Sequence, residues 1–281
     1  MKLSEIYIKG QEILKNAQIQ DYKFDTQCLL EHCFGLQLHE FCQFRNKTIT
    51  QKEANLFFSL INERKNRKPL QYILGYWYFM GKKYIVKEGV LIPRDDTEVL
   101  VSTATELLSS KKNAKVLDLC SGSGIIAITL SKIFADARIF AVEISDVASS
   151  VLKENIAFHN AQNVFAKKLD VLDPYAFQGF NDIDLIVSNP PYIPQNDIKN
   201  LQKEVLFEPK LALDGGTDGL DFFRAIVQNF KNCLGTMGKI CFEIGINQAN
   251  DVKNILQSND FFDISVKKDI NNIDRVVFGT F

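Results

Sequence analysis

Two stretches of this chain combine residue types able to hold and orient a reactive small molecule. The first is Val116-Leu117-Asp118-Leu119-Cys120-Ser121-Gly122-Ser123-Gly124, an apolar run that breaks into small residues and resumes as Ile125-Ile126-Ala127. This order predicts a strand, a tight turn and a helix. Gly122 and Gly124 allow a ligand close to the backbone, and the N–H groups at the helix start favour a negative or polar ligand atom. Asp118, Cys120, Ser121 and Ser123 share that candidate cofactor loop. Glu143 ends the next apolar run, Arg138-Ile139-Phe140-Ala141-Val142. A carboxylate there can accept both hydroxyls of a ribose. Gly122 to Ala127 also fits the G-x-G-x-x-A pattern of dinucleotide binders. These residues therefore point to a nucleoside cofactor and leave its identity open.

The second stretch is Asp184-Leu185-Ile186-Val187-Ser188 followed by Asn189-Pro190-Pro191-Tyr192. In an open α/β sheet, ligands sit beyond the carboxyl ends of the strands. Pro190 and Pro191 stiffen the backbone there and supply no N–H donor. The carboxamide oxygen of Asn189 and the carbonyl of Pro190 can then both accept from one NH₂ group, and Tyr192 offers a flat face. Two acceptors and a π face suit a planar amine or amide, such as adenine, cytosine, guanine or glutamine.

These loops need rigid supports, and the hydrophobic pattern supplies them. From residue 115 the chain alternates. Strands are predicted near 115–119, 138–143, 164–168, 183–188, 239–243, 262–267 and 275–280. Helices are predicted near 124–133, 146–159, 219–233 and 247–257. The fold class is α/β, a doubly wound, mainly parallel seven-stranded sheet. Only Lys268 to Asp274 separates the last two strands, which should pair as an antiparallel hairpin. Ahead of this, residues 1–68 read as a small helical domain. Leu3, Ile6, Ile13, Leu14 and Ala17 lie near one helical face, and a second helix from Phe24 to Phe34 should stop at Gly35. Thr50 and Glu53 make a capping box before Ala54, Phe57, Phe58 and Ile61, spaced as one helical stripe. The cations of Glu63-Arg64-Lys65-Asn66-Arg67-Lys68 read as a solvated helix end before Pro69, with a partner-binding patch as the alternative. Residues 69–93 are rich in aromatic and β-branched residues between glycines and read as a β-hairpin linker. A helix should start near Asp96-Thr97-Glu98, and residues 94–281 make the catalytic domain.

Composition removes several function classes. The 281 residues carry 33 Lys+Arg against 34 Asp+Glu, too even a balance for a protein that grips nucleic acid along many phosphates. No direct nucleic-acid binding is expected. Cys28, Cys33, Cys42, Cys120, Cys233 and Cys241 form no C-x-x-C pair. They read as small buried hydrophobes of a reducing compartment. With only three histidines, no metal is expected. The amphipathic start carries Glu5 and Glu12, unlike a signal peptide, and no apolar run is long enough for a membrane span. A cytoplasmic monomer is expected.

The glycine loop, the acid of the second strand and N-P-P-Y together resemble class I S-adenosylmethionine-dependent methyltransferases that act on planar nitrogens. Leu91-Ile92-Pro93-Arg94-Asp95-Asp96-Thr97-Glu98 narrows this to the protein-glutamine methyltransferases of the HemK/PrmC family. Phe207-Glu208-Pro209, Leu213-Asp214-Gly215-Gly216-Thr217-Asp218-Gly219-Leu220, Phe242-Glu243-Ile244-Gly245 with Gln248, and Lys268-Asp269 with Asp274-Arg275-Val276-Val277 are similar too. The resemblance runs from about Pro69 to the C-terminus; the helical segment matches by layout. It implies methylation of the glutamine amide in the G-G-Q motif of class 1 peptide chain release factors, with S-adenosyl-L-methionine as donor. It also implies that Asp170 and Val171 flank the adenine. Three residues depart from the family pattern: Cys120 for Gly, Glu143 for Asp and Asp95 for Pro. A ribosomal-protein glutamine methyltransferase would share the chemistry and differ in the helical domain. An adenine-amine DNA methyltransferase would need base flipping and a basic groove. A nicotinamide oxidoreductase would explain the glycines and not N-P-P-Y.

Overall fold

Val116, Leu117 and Leu119, and Leu185, Ile186 and Val187, are all fully buried. Strands apolar on both faces must be covered on both sides, and that demand organises the catalytic part of the chain. The computed structural model describes residues 1–36 and 38–281; for Leu38 and Cys42 it describes the backbone alone. The chain packs as two units, Met1–Tyr76 with Gln202–Phe207, and Trp77–Leu201 with Glu208–Phe281.

The first unit is helical: α1 (Leu3–Asn16), α2 (Tyr22–Phe34), α3 (Leu38–Phe44), α4 (Gln51–Lys65) and α5 (Leu70–Leu74). Leu3, Ile6, Leu14, Leu29, Phe57 and Ile61 are completely buried. A Cβ at Gly10 would stand 3.0 Å from the Phe57 ring, so glycine there permits close packing. Gly35 ends α2 at φ 65°, the left-handed conformation glycine adopts without penalty. Thr50 and Glu53 form the capping box: the Glu53 amide donates to Thr50 Oγ1 at 3.2 Å and the Thr50 amide to Glu53 Oε2 at 2.7 Å.

Two readings of this region need correction. The basic end of α4 is not a solvated helix end. Arg64 is buried and donates to Asp25 at 2.6 Å and to Glu204 at 3.1 Å, and Arg67 reaches Glu204 at 3.2 Å. Burial raises the Asp25 pKa although the Arg64 guanidinium pulls against it. Burial also opposes ionisation of Glu204, yet hydrogen bonds from its own backbone and from Arg64 and Arg67 outweigh it and lower its pKa. Nor are residues 70–74 part of a hairpin. They form the short helix α5, which Pro69 admits at its N-terminus and Gly75, at φ 77°, closes. The hairpin itself is β1 (Tyr76–Phe79) and β2 (Lys82–Ile85).

The remaining elements are α6 (Thr97–Leu108), β3 (Lys115–Leu119), α7 (Ile125–Ile133), β4 (Arg138–Val142), α8 (Asp146–Phe158), β5 (Val164–Lys167), β6 (Ile183–Ser188), α9 (Asp221–Phe230), β7 (Leu234–Glu243), α10 (Ala249–Gln257), β8 (Phe262–Lys268) and β9 (Asp274–Thr280). The seven-stranded sheet runs β5-β4-β3-β6-β7-β9-β8. The first five strands are mutually parallel, and β9 pairs antiparallel with both β7 and β8. Leu100, Val101 and Ala104 of α6 share one core layer with Ile125 to Ile128 of α7. Phe223, Ile226, Val227, Val252 and Leu256 of α9 and α10 fill the other.

Strand β7 is longer than the predicted 239–243. It takes in Gly235 and Gly238, where the register against β6 shifts between Ile183 and Leu185. A Cβ on Gly238 would stand 2.9 Å from the carbonyl oxygens of Gly235 and Ile183. The predicted helix 219–233 is α9 followed by a separate 3₁₀ turn, Lys231–Cys233. Cys28, Cys33, Cys120, Cys233 and Cys241 are free thiols; Cys233 and Cys241 are buried and the other three half-buried. Burial pushes the Cys28 thiol up to about 12 and that of Cys33 to about 11. The Cys42 side chain lies outside the described residues.

Candidate active site

Strand register alone brings the chemistry-bearing residues together. Leu119 pairs with Val142 on one side and Ser188 on the other, and Ser188 pairs with Phe242. The residues that follow, Cys120, Glu143, Asn189 and Glu243, therefore leave four adjacent strands at one end of the sheet. The chain crosses over between β3 and β6, the switch point at which α/β sheets bind ligands.

The loop after β3 alternates left-handed residues: Cys120 at φ 60°, Gly122 at φ 55° and Gly124 at φ 84°. Cys120 thus holds, with a side chain, a conformation that glycine takes more easily. Hydrogen bonds hold the loop there. The Ser121 amide donates to the Val142 carbonyl at 3.0 Å, the Ser121 hydroxyl to the Asp118 carbonyl at 2.8 Å and the Gly124 amide to the Ser121 carbonyl at 2.8 Å. The two glycines do different work. A Cβ on Gly124 would lie 2.3 Å from Leu152 Cδ1, whereas one on Gly122 would meet nothing within 4 Å. Gly124 serves packing of loop and helix; Gly122 faces open space.

Glu143 is buried and accepts at both oxygens, from the Gly122 amide at 2.9 Å and the Ser145 amide at 2.8 Å. One acceptor site remains on each oxygen. Asp118 is fully buried beneath the loop. Its Oδ2 accepts from the Ala127 amide at 3.1 Å, and its Oδ1 has no hydrogen-bond partner. Burial pushes its pKa up to about 8.

A cavity with about 1080 Å³ of empty space, open solvent included, lies over this end of the sheet. Cys120, Ser121, Gly122, Ser123 and Glu143 form one part of its wall. Asp170, Val171, Asn189 and Pro191 form another, with Ile92, Pro93 and Phe222 adding apolar surface. Asp118, Gly124, Pro190 and Tyr192 are not on that wall. Asp118 and Gly124 support the loop from behind. Asp170 caps its own turn, accepting from the Leu172 amide at 2.9 Å through Oδ1.

The Asn189 carboxamide is oriented by its neighbour: Nδ2 donates to the Thr97 hydroxyl at 3.2 Å. The Tyr192 hydroxyl donates to Glu243 Oε1 at 3.4 Å. Burial raises the tyrosine pKa and pushes that of Glu243 up to about 7. The Asn189–Tyr192 loop is clamped from outside. The Gln248 side-chain amide donates to the Tyr192 carbonyl at 2.9 Å, the Ile193 amide donates to the Leu213 carbonyl at 3.0 Å, and the Gly215 amide donates to the Ile193 carbonyl at 2.9 Å. Side chains at Gly215 or Gly219 would strike the Tyr192 backbone, at 2.7 and 2.4 Å. Glu208, buried, accepts from the Ile92 amide at 2.9 Å and pairs with Arg94. Thr97, Glu208, Glu243 and Gln248 were not foreseen as site residues. Each belongs to a stretch that resembles the family pattern, which marked it without giving it a role.

Among the described residues no group of three or more His, Cys, Asp or Glu could hold a metal ion, and no helix is long and apolar enough to cross a membrane. The profile of the PrmC N-terminal domain matches residues 5–75, and that of the methyltransferase small domain matches residues 95–256. A release factor glutamine methyltransferase of Clostridium botulinum is 40% identical over 279 residues, covering 99% of this chain and 98% of the relative. One from Geobacter sulfurreducens is 40% identical over 267 residues, 95% of this chain and 92% of the relative. In fold, the chain is similar to the hMettl16 catalytic domain in complex with MAT2A 3′UTR hairpin 6. That similarity has a TM-score of 0.58 and 14% identity, over 83% of this chain and 82% of the other.

Proposed function

The chain belongs to the release factor glutamine methyltransferase family, and from that premise we propose that it methylates the side-chain amide nitrogen of the G-G-Q glutamine in class 1 peptide chain release factors. S-adenosyl-L-methionine supplies, when bound, a methyl group already activated on a sulfonium. The residues at the cavity fit that cofactor on three counts. Gly122 leaves open the space a Cβ would fill. Glu143 keeps one acceptor on each oxygen for the two ribose hydroxyls, its other acceptors being taken by main-chain amides. Asp170 and Val171 supply an acceptor and an apolar face for the adenine on the same wall.

An amide nitrogen is a weak nucleophile because its lone pair is delocalised into the carbonyl. The protein's task is therefore mostly positioning. Asn189 carries the reading. Its carboxamide nitrogen is engaged by Thr97, so its oxygen is the atom left to accept from an incoming N–H. The Pro190 carbonyl takes the second amide hydrogen, Pro191 keeps the backbone rigid and Tyr192 fixes the amide plane. Both acceptors draw charge toward the reacting nitrogen, and its proton is lost once the new methyl is in place. The helical unit is assigned the second contact with the release factor, since one glutamine side chain offers too little surface to select a protein partner. We place the reaction in the cytoplasm, where release factors work, with the enzyme as a monomer.

Transfer of labelled methyl from S-adenosylmethionine to purified release factor, ribosomal protein and DNA, side by side, tests this. Label in the release factor alone is expected. Label in ribosomal protein or DNA with none in release factor would overturn it.

A further inference from the structure

Asn155 is a fully buried side-chain amide to which the methyl-transfer scheme gives no task. It lies on α8, and both polar atoms of its carboxamide are engaged. Oδ1 accepts from the Ile85 amide at 2.8 Å, and Nδ2 donates to the Ile85 carbonyl at 3.0 Å and to the Ser123 carbonyl at 2.9 Å. Toward Ile85, at the end of β2, the side chain pairs as a neighbouring strand would. Toward Ser123 it grips the candidate cofactor loop between its two glycines. Neither Asn155 nor Ile85 is on the cavity wall, whereas Ser123 is.

The loop needs such a hold. Gly124, at φ 84°, leaves rotation of the Ser123–Gly124 peptide easy, because glycine populates left- and right-handed backbone alike. The N–H of that peptide is held inside the loop, by the Ser121 carbonyl at 2.8 Å, and its carbonyl is held from outside, by Asn155. The same side chain fixes the main chain that runs on from β2 into residues 89–94, which line the cavity too. Val90 packs with Ala148 and Val151 of α8 and with Ile85, so this stretch is seated on the helix that carries Asn155. Resting on the functional reading above, we infer that Asn155 is a positioning residue for the cofactor: it locks the orientation of the Ser123–Gly124 peptide and sets the spacing between the glycine loop and the strand end that leads into residues 89–94. A side chain without its donors leaves the Ser123 carbonyl unpartnered in the interior, a state that backbone groups turn to escape. The loop then divides its time among orientations of which one fits the cofactor.

Asn163 supplies the comparison. Its Nδ2 also donates to two main-chain carbonyls, that of Phe134 at 3.1 Å and that of Ala137 at 3.0 Å. It ties the turn between α7 and β4 to the start of β5 and is not on the cavity wall, nor are the residues it holds. Asn163 shares the structural duty of Asn155 and not the positional one.

The test measures the Kd for S-adenosylmethionine by calorimetry, the Tm, and residue-resolved amide hydrogen exchange in full-length wild type, Asn155→Leu, Asn155→Ala and Asn163→Ala. Every variant is expected to lower the Tm. The substitutions at Asn155 should also raise the Kd on the order of 10-fold, as follows when the competent loop is populated about a tenth of the time, and speed exchange at the Gly122 and Gly124 amides. Asn163→Ala should leave the Kd and those amides unchanged. In the wild type, saturating S-adenosylmethionine should slow exchange at the Ile85 amide, off the cavity wall, together with the loop amides; this arm needs no variant to fold. A wild-type Kd in a folded Asn155 variant, an equal rise in Asn163→Ala, or an Ile85 amide indifferent to the cofactor while the loop amides slow would overturn the tie and leave the functional reading standing. A wild type that fails to bind S-adenosylmethionine would overturn that reading and the tie with it.

Discussion

Replacing Glu143 by glutamine changes one atom of the candidate ribose site and has two separable consequences. In the protein, the two oxygens accept from the amides of Gly122 and Ser145, at 2.9 and 2.8 Å. A glutamine keeps one of these bonds and turns its NH₂ against the other N–H. Leaving one buried donor unsatisfied costs about 1–3 kcal/mol. That loss appears as a lower Tm of the cofactor-free protein. The second consequence falls on the cofactor. One ribose hydroxyl meets a neutral acceptor instead of a charged one, and the other loses its acceptor. Hydrogen bonds to charged groups contribute about 1.5–3 kcal/mol each, so the combined loss is about 2–4 kcal/mol. This raises the Kd for S-adenosylmethionine roughly 30- to 1,000-fold. Calorimetry on the folded variant measures it, and Glu143→Asp, which keeps the charge, should fall much closer to wild type. A folded Glu143→Gln protein with wild-type Kd would refute the ribose assignment.

Asn189→Ala should reduce kcat by about 10²–10³, the usual loss for one preorganised charge-stabilising group, and steady-state kinetics on release factor will show it. Gly124→Ala should lower the Tm much more than Gly122→Ala, because only the former drives a Cβ to 2.3 Å from Leu152; Gly122→Ala should chiefly weaken cofactor binding. Asp118→Asn tests the buried acid: its pKa is raised to about 8 in the fold against about 3.9 in the unfolded chain, so its contribution is full below pH 4 and is lost as pH rises through 8. The Tm of the variant relative to wild type should therefore climb with pH across that window, and a flat difference would contradict it.

Much of the site was legible because strand ends carry it. The apolar runs at Val116-Leu117 and Leu185-Ile186-Val187 announce buried parallel strands, and whatever follows them must emerge at the carboxyl ends. What the pattern could not convey is register. Nothing in the sequence says that Leu119 lies opposite Ser188, or that Ser188 lies opposite Phe242. For that reason Glu243 and Thr97 passed as motif residues without a role. The depth of Asp118 was not legible for a related reason: the same acid at a strand end can face a ligand or brace the loop from below, and the sequence does not say which. The helix α5 was missed because Tyr72 and Ile73 favour strands, and a single turn between Pro69 and Gly75 is too short to show periodicity. Arg64 was misread because its partners Asp25 and Glu204 lie far away in sequence.

The central claim is that one glutamine side-chain amide receives the methyl group. Incubating full-length enzyme with S-adenosylmethionine and purified release factor, then mapping the peptides by mass spectrometry, tests it most directly. A single added methyl on the amide of the G-G-Q glutamine is predicted, absent when that glutamine is replaced by alanine. A methyl on any other residue, or an unmodified release factor under conditions where another substrate is methylated, would contradict the account.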